Sequence, residues 1–251
     1  MTSLVSQSKA DYLLWKNNSM AFEQKVNLLN DSLGLKAQSR LVNSVPPTYF
    51  AGSFKKGKRK SLIVGINPGY GEKNIQFEST IRNSGWEAYV AFHSNFFSHY
   101  GKSGNNINYY SYLSGVLAKD REDLFGELGR FGYCQDNLVN VDLLPYHSKG
   151  FNRGALSSTV KADLVSRFNN TILTLIEENS DLIERVIIHD KHLTEIIKDL
   201  YKVDDSSLVF SGNQNKTVHR FFIENIPVYL FSRFIPNGGF SRDAVQEALS
   251  Q

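Results

Sequence analysis

Cysteine is nearly absent from this sequence, with Cys134 the single one in 251 residues. One thiol excludes a disulfide framework within the chain, a cysteine-based zinc site and an iron–sulfur cluster. A reducing cytoplasm suits such a chain. Long apolar runs are missing too. None approaches the ~18 residues of a membrane span, and the opening MTSLVSQSKADYLLW lacks the basic-then-apolar order of a signal peptide. A soluble, cytoplasmic protein with no membrane partner is the expectation. Nor is one sign of charge in large excess. The net charge of +3 permits nucleic-acid binding without demanding it, because local clustering matters more than the total. No internal repeat or low-complexity segment occurs.

What the chain does have is aromatic side chains, 17 Phe and 12 Tyr, enough to fill a core and still leave rings for a groove that stacks bases. Apolar spacing predicts one or two helices over Lys9–Leu35, and SVPPTYFAGSF then breaks helix and leads into the basic tract FKKGKRK. Strands are expected at Ser61–Asn67, Asn137–Leu144 and Arg185–His189, with a hairpin or strand pair over Thr217–Ser232. Helices are expected at Ser84–Tyr100, Tyr109–Gly129, Ala162–Glu178, His192–Tyr201 and Ser241–Leu249, the last capped by Ser241 or the glycines before it. The turn-rich GKSGNNIN separates the first two of these. Alternating strands and helices predict an α/β fold: a three-layer α/β/α sandwich around a mainly parallel four-stranded sheet. One domain over residues 1–251 is expected, with residues 1–45 as a helical extension packed on it. Ligands of such sheets bind beyond the carboxyl ends of the strands, so the informative loops follow Ile66, Leu144, His189 and Ser232.

The first of these loops opens the stretch LIVGINPGYGE. It is not a Walker loop: the spacing from Gly65 to Lys73 is wrong, Asn74 stands in place of Ser or Thr, and Pro68 removes an N–H. A G-x-G-x-x-G fingerprint is absent as well. What remains is a positioned amide. Pro68 pushes Asn67 toward extended backbone, while Gly69 and Gly71 keep the approach free of side chains. An amide carries a donor and an acceptor, so it can orient a water without titrating.

GINPG after an apolar strand resembles the first active-site motif of the uracil-DNA glycosylase superfamily, in particular its mismatch-specific uracil/thymine-DNA glycosylase branch. The second match is IPNGGFSRDAV at Ile235–Val245, similar to the Pro-Asn-Pro-Ser-Gly-Leu-Ser-Arg type loop that follows the last strand of that branch. Here the Pro-Ser pair is shortened to one glycine and the Leu position is Phe240. The resemblance implies a monofunctional DNA glycosylase acting without cofactor or metal, with DNA as partner and a monomer as the working form. It implies that Asn67 positions the attacking water, with Gly65, Ile66, Pro68, Gly69 and Tyr70 around the base. Asn237, Gly238, Gly239, Ser241 and Arg242 would then face phosphates, and Phe240 would be the wedge that fills the gap of a flipped nucleotide. No lysine stands in the matching motifs, which argues against a Schiff-base step.

In NVDLLPYHSKG, strand alternation puts Asn140, Asp142 and Leu144 on one face. Other branches of the superfamily read the flipped base with an Asn on this strand, and Asn140 stands in a similar Val-Asn-Val setting. The alternative is an amide hydrogen-bonded within the sheet end. Asp142 can pair with a base, cap a helix, or act as an auxiliary acid/base. His147 is either a catalytic, base-pocket or phosphate contact, or a solvated loop histidine. His189, at the third strand's tip, poses the same choice. An extruded base needs a flat partner, for which Phe77 and Tyr70 are preferred over Trp86 and Phe92, which fit a core helix face. The tract Lys55–Lys60 holds five cations in six residues and either tracks a phosphate backbone or is a solvated hairpin tip. Mismatched uracil or thymine is the expected base, and a bulky modified cytosine of viral DNA, excised in antiviral defence, is the alternative. A catalytically inactive nucleic-acid-binding module is the reading from another class.

Overall fold

The computed structural model describes residues 1–55, 57–70, 84–102, 108–151, 155–235 and 239–251. They form two compact units. The first comprises Met1–Phe50, Ile66–His93 and Asp142–Glu178; the second comprises Ala51–Gly65, Ser94–Val141 and Asn179–Gln251.

The second unit is built on a sheet. Its strands are β1 (Phe50–Ala51), β2 (Lys60–Gly65), β3 (Leu138–Asp142), β4 (Ile183–Ile188), β5 (Leu208–Gly212), β6 (Lys216–Ile223) and β7 (Ile226–Phe231), in the order β1-β3-β2-β4-β7-β6-β5. β2 pairs parallel with β4 (Ile63 opposite Ile187), and β4 pairs parallel with β7 (Ile187 opposite Tyr229). Leu62, Ile63, Val64, Val186, Ile187 and Ile188 are fully buried. Such uninterrupted apolar runs are what strands covered on both faces require.

The α/β class is as expected, but the sheet is larger and mixed. Seven strands replace the expected four. β6 and β7 form the anticipated hairpin, antiparallel with Ile223 opposite Ile226, and β5 pairs antiparallel with β6. β5 leaves little trace in the sequence because no residue of LVFSG is fully buried. Edge strands need only backbone pairing, so no apolar alternation marks them.

Helices follow the apolar spacing with shifted ends. The second unit holds α4 (Phe96–Lys102), α5 (Asn108–Leu117), α6 (Gly129–Asn137), α9 (Lys191–Tyr201) and α10 (Arg242–Ser250). α9 shows how local chemistry sets the bounds. The Asp190 carboxylate accepts from the His192 and Leu193 N–H groups, Leu193, Ile196 and Ile197 face the core, and Lys202 leaves the helix at φ 52°. Ser241, the expected cap, accepts from the Ala244 N–H. The expected single helix over Tyr109–Gly129 is instead α5, a short 3-10 turn at Glu122–Leu124 and the start of α6.

The first unit holds α1 (Thr2–Asn17), α2 (Ser19–Ser32), α3 (Trp86–Ser94), α7 (Ser158–Arg167) and α8 (Thr174–Asn179), the last two joined by π-helical Phe168–Leu173. Its centre is aromatic: Tyr12 and Tyr89 lie 4.6 Å apart, and Trp86 stacks on Tyr89 at 5.3 Å. Trp86 thus belongs to a core helix face. No described helix is long and apolar enough to cross a membrane.

Candidate active site

Asn67 begins the turn two residues beyond the end of β2. The chain leaves β2 for β3 on one side of it and returns as β4 on the other. The switch point of the sheet therefore lies between the carboxyl ends of β2 and β4, where open α/β sheets place ligands.

Within the first unit, the Asn-Pro-Gly turn is laced to the Leu144–Ser148 segment. The Leu144 N–H donates to the Ile66 carbonyl (2.7 Å), the Ser148 N–H to Pro68 (3.2 Å), and the Tyr70 N–H to Ser148 (2.9 Å). The two stretches singled out in the sequence, GINPGY and LLPYHS, are thus one structural element. The Tyr70 hydroxyl lies 3.3 Å from Ser44 Oγ.

This lacing fixes the Asn67 amide. Its Nδ2 donates to the Tyr146 carbonyl (3.2 Å), the Pro68 carbonyl (3.2 Å) and Ser148 Oγ (2.9 Å). Two of these partners are carbonyl oxygens, which only accept, so the amide cannot be flipped. Oδ1 is left as the outward acceptor, and among the described residues no donor reaches it. Asn67 itself is half-buried, so Oδ1 is open to a water. Ser148 carries no signal in the sequence beyond its place in the loop.

His147 is neither solvated nor available to a base. It is buried, its Nδ1 donates to the Gly69 carbonyl (2.9 Å), and its Nε2 lies 3.1 Å from the Thr48 hydroxyl, from which it accepts. Burial pushes the imidazole down to about 4, so it is uncharged at neutral pH. With both ring nitrogens engaged, it braces the turn.

A deeper strut, not visible in the sequence, reaches the same loop from α1. Asp11 is buried, and its Oδ2 accepts from the Tyr49 hydroxyl (2.7 Å) and the Tyr146 hydroxyl (2.5 Å), while Oδ1 accepts from Lys25. Burial raises both phenols, so they remain donors. Tyr146 in turn supplies the carbonyl that holds Asn67. Asp11→Ala should therefore cost about 2–3 kcal/mol of stability, since it strands two inward-facing hydroxyls, while the half-exposed Lys25 stays hydrated. A urea midpoint unchanged from wild type would refute this.

Gly69 is exposed, does not adopt the left-handed conformation, and an added Cβ would meet no atom within 4 Å. Neither backbone nor packing requires glycine there. Gly69→Ala should keep the wild-type melting temperature yet weaken substrate binding, because the methyl group would occupy space in front of the turn. Unchanged binding would mean that no ligand approaches this backbone.

Asn140 and Gly65 belong to the second unit, Asn140 buried near the middle of β3 and Gly65 at the end of β2; Asp142, half-buried, ends β3. Phe77, Asn237 and Gly238 lie outside the described residues, as does most of GKSGNNIN.

The C-terminal loop departs from expectation. Phe240 is not an exposed wedge: its ring is 1% exposed and packs edge-on against Phe231 at 5.0 Å. An apolar ring preceding a helix is drawn into the core as readily as into a base stack. Arg242 is not free for a phosphate either. Its guanidinium donates to the Ala118 carbonyl (3.0 Å) and the Lys119 carbonyl (2.6 Å), closing the end of α5. Ser241 is occupied as the α10 cap. Gly239 is required by the fold, since a Cβ there would lie 2.2 Å from the Phe234 carbonyl.

Two other features resolve similarly. In the basic tract, Lys58 pairs with Asp136 (3.7 Å), Arg59 donates to the Ile183 carbonyl (2.6 Å) and buried Lys60 donates to the Gln135 carbonyl (2.7 Å). Most of its charge is used within the second unit, which argues against a backbone-tracking strip. His189 is buried, accepts from the Ile235 N–H (3.4 Å) and lies 3.0 Å from the Tyr109 hydroxyl. Its ring is near-parallel to that of Phe234 at 4.8 Å, and Phe234 is 37% exposed.

No protein-family model matches this chain, and no curated protein matches its sequence.

Proposed function

We propose that this protein is a monofunctional DNA glycosylase that hydrolyses the N-glycosidic bond of a modified or mismatched pyrimidine extruded from DNA, leaving an abasic site. The observation that carries this reading is the amide of Asn67, two residues beyond the end of β2, with its NH₂ tied down by protein acceptors and its carbonyl oxygen left open. The likeness of GINPG and PNGGFSR to the uracil-DNA glycosylase superfamily supports the same reaction.

In the mechanism, the bond from the base nitrogen to C1′ breaks first and its electron pair leaves with the base. The sugar becomes oxocarbenium-like. A water held by Asn67 Oδ1 adds through its oxygen to C1′, and the proton it sheds ends on the departed base. A neutral amide is a weak base, so it contributes position and a fixed dipole, not proton abstraction. The His147 brace and the lacing to Leu144–Ser148 keep that dipole from reorganising.

Burial removes Phe240 from the wedge role. The exposed ring nearest that loop in the chain is Phe234, backed by His189, and it suits stacking against a base or an opened step. Phe234→Ala should weaken binding to duplex DNA by about 1–3 kcal/mol while leaving the fold intact. Equal affinity of variant and wild type in a fluorescence anisotropy titration would exclude this ring.

Mass-spectrometric detection of released base tests the function itself. Oligonucleotides with uracil or thymine opposite guanine, and with glucosylated hydroxymethylcytosine, would be incubated with wild type and with Asn67→Ala. Release of one of these bases by wild type alone is expected; release by both proteins would overturn the role of Asn67, and release by neither would overturn the activity.

A further inference from the structure

The second unit carries a pocket of about 180 Å³ between α9, β6 and the carboxyl end of β7. A single water needs only about 10–15 Å³, so there is room for a tetrahedral oxyanion. α9 contributes Lys191, Thr194 and Lys198, β6 contributes Thr217 and His219, and Ser232 follows β7.

Much of the pocket wall is already satisfied by the fold. Thr194 Oγ1 donates to the Phe231 carbonyl (2.9 Å). Ser232 Oγ donates to the Asn215 carbonyl (3.1 Å) and accepts from the Thr217 N–H (2.9 Å). His219 is buried, with Nδ1 donating to the Asp204 carbonyl (3.2 Å) and Nε2 accepting from the Lys198 ammonium (3.0 Å). That leaves Lys198 facing a neutral partner with two N–H groups unspent. Among the described residues, the Lys191 ammonium and the Thr217 hydroxyl have no protein acceptor. Glu195 shares the rim but forms no ion pair with either lysine among the described residues, so the pocket stays net positive.

We infer that this pocket is a phosphoryl-binding site. Two lysines seven residues apart on α9 and a hydroxyl from β6 can share the oxygens of one group, and lysine binds phosphate as a point charge. The Asp190 carboxylate already occupies the N–H groups at the start of α9, so the site draws on side chains and not on a helix end. The phosphate comes either from a nucleic-acid backbone, a source that rests on the glycosylase reading, or from a free phosphorylated compound.

Two measurements separate the sources. In the first, inorganic phosphate is titrated calorimetrically into wild type and into the Lys191→Gln/Lys198→Gln variant. In the second, the salt dependence of duplex binding is measured for both. A backbone source predicts that the double variant lowers the slope of log K against log salt by about 0.9 for each phosphate lost, with roughly tenfold weaker binding at low salt. A free source predicts phosphate binding that the double variant abolishes, with an unchanged DNA slope. Neither effect would overturn the site. Lys191→Gln alone touches an exposed, unbonded side chain, so a folding defect in the double variant cannot hide the result. Absence of base release by wild type from every one of the oligonucleotides named above would sink the glycosylase reading but leave the inorganic phosphate measurement standing.

Discussion

Asn67→Asp is expected to lose base release as severely as Asn67→Ala, by a factor of about 10²–10³. Aspartate is the natural residue for activating a water, and a general-base mechanism would tolerate or favour it. The surroundings of Asn67 reverse that expectation. Its Nδ2 faces the Tyr146 and Pro68 carbonyls, both acceptors, and a carboxylate oxygen in that place would meet them with no hydrogen to share. Only the Ser148 hydroxyl could turn to donate. The carboxylate would swing out of the turn and the water would lose its holder. Protonation restores a donor, so the residual activity of Asn67→Asp should rise as pH falls from about 7.5 to 6.5. Near-wild-type release, or residual activity rising with pH, would contradict the water-positioning role. It would point to proton abstraction instead.

Acid should destabilise this protein steeply. His93, His147 and His189 are buried, and burial, the largest cause in each, pushes them down to about 3, 4 and 3 respectively. In the unfolded chain each titrates near pH 6.5. Below that pH the unfolded state binds protons that the folded state refuses, so stability is full above about 6.5 and is lost as the pH falls. Each histidine contributes up to about 1.4 kcal/mol per pH unit, or about 4 kcal/mol per unit for the three together, between roughly pH 6 and pH 4. Over that two-unit window the loss sums to about 8 kcal/mol, enough to unfold a chain in the lower half of the usual range of total stability, about 5–15 kcal/mol. Urea midpoints measured from pH 7.5 to 4.5 check this, and a flat profile down to pH 5 would refute it. His93→Leu should remove one proton from the slope, because that imidazole is packed against Tyr89 at 4.3 Å and Phe50 at 5.9 Å.

The buried strands around Ile63 and Ile187, the hairpin ending at Phe231 and the Ser241 cap were legible from sequence, because each depends on neighbouring residues alone. β2 and β4 are apolar without interruption, and a serine before a helical pattern meets its own N–H partner three residues on. The place of Asn67 in a tight turn after β2 was legible for the same reason. A proline and glycine after a strand end constrain the backbone locally, whatever the rest of the chain does.

What only the tertiary structure decided was the environment of each polar and aromatic side chain. Whether Phe240 enters a base stack or the core depends on Phe231, distant in sequence and 5.0 Å away. Whether Arg242 meets a phosphate depends on the open carbonyls at the end of α5. The Asn67 amide gains its orientation from Tyr146 and Ser148, and Tyr146 is held by Asp11 from the first helix. Hydrogen bonds of this kind join residues that no periodicity connects. The sequence by itself determined that a rigid amide stands at the end of a buried strand. The fold determined which of its two polar atoms faces outward, because carbonyl oxygens distant in the chain claim the other.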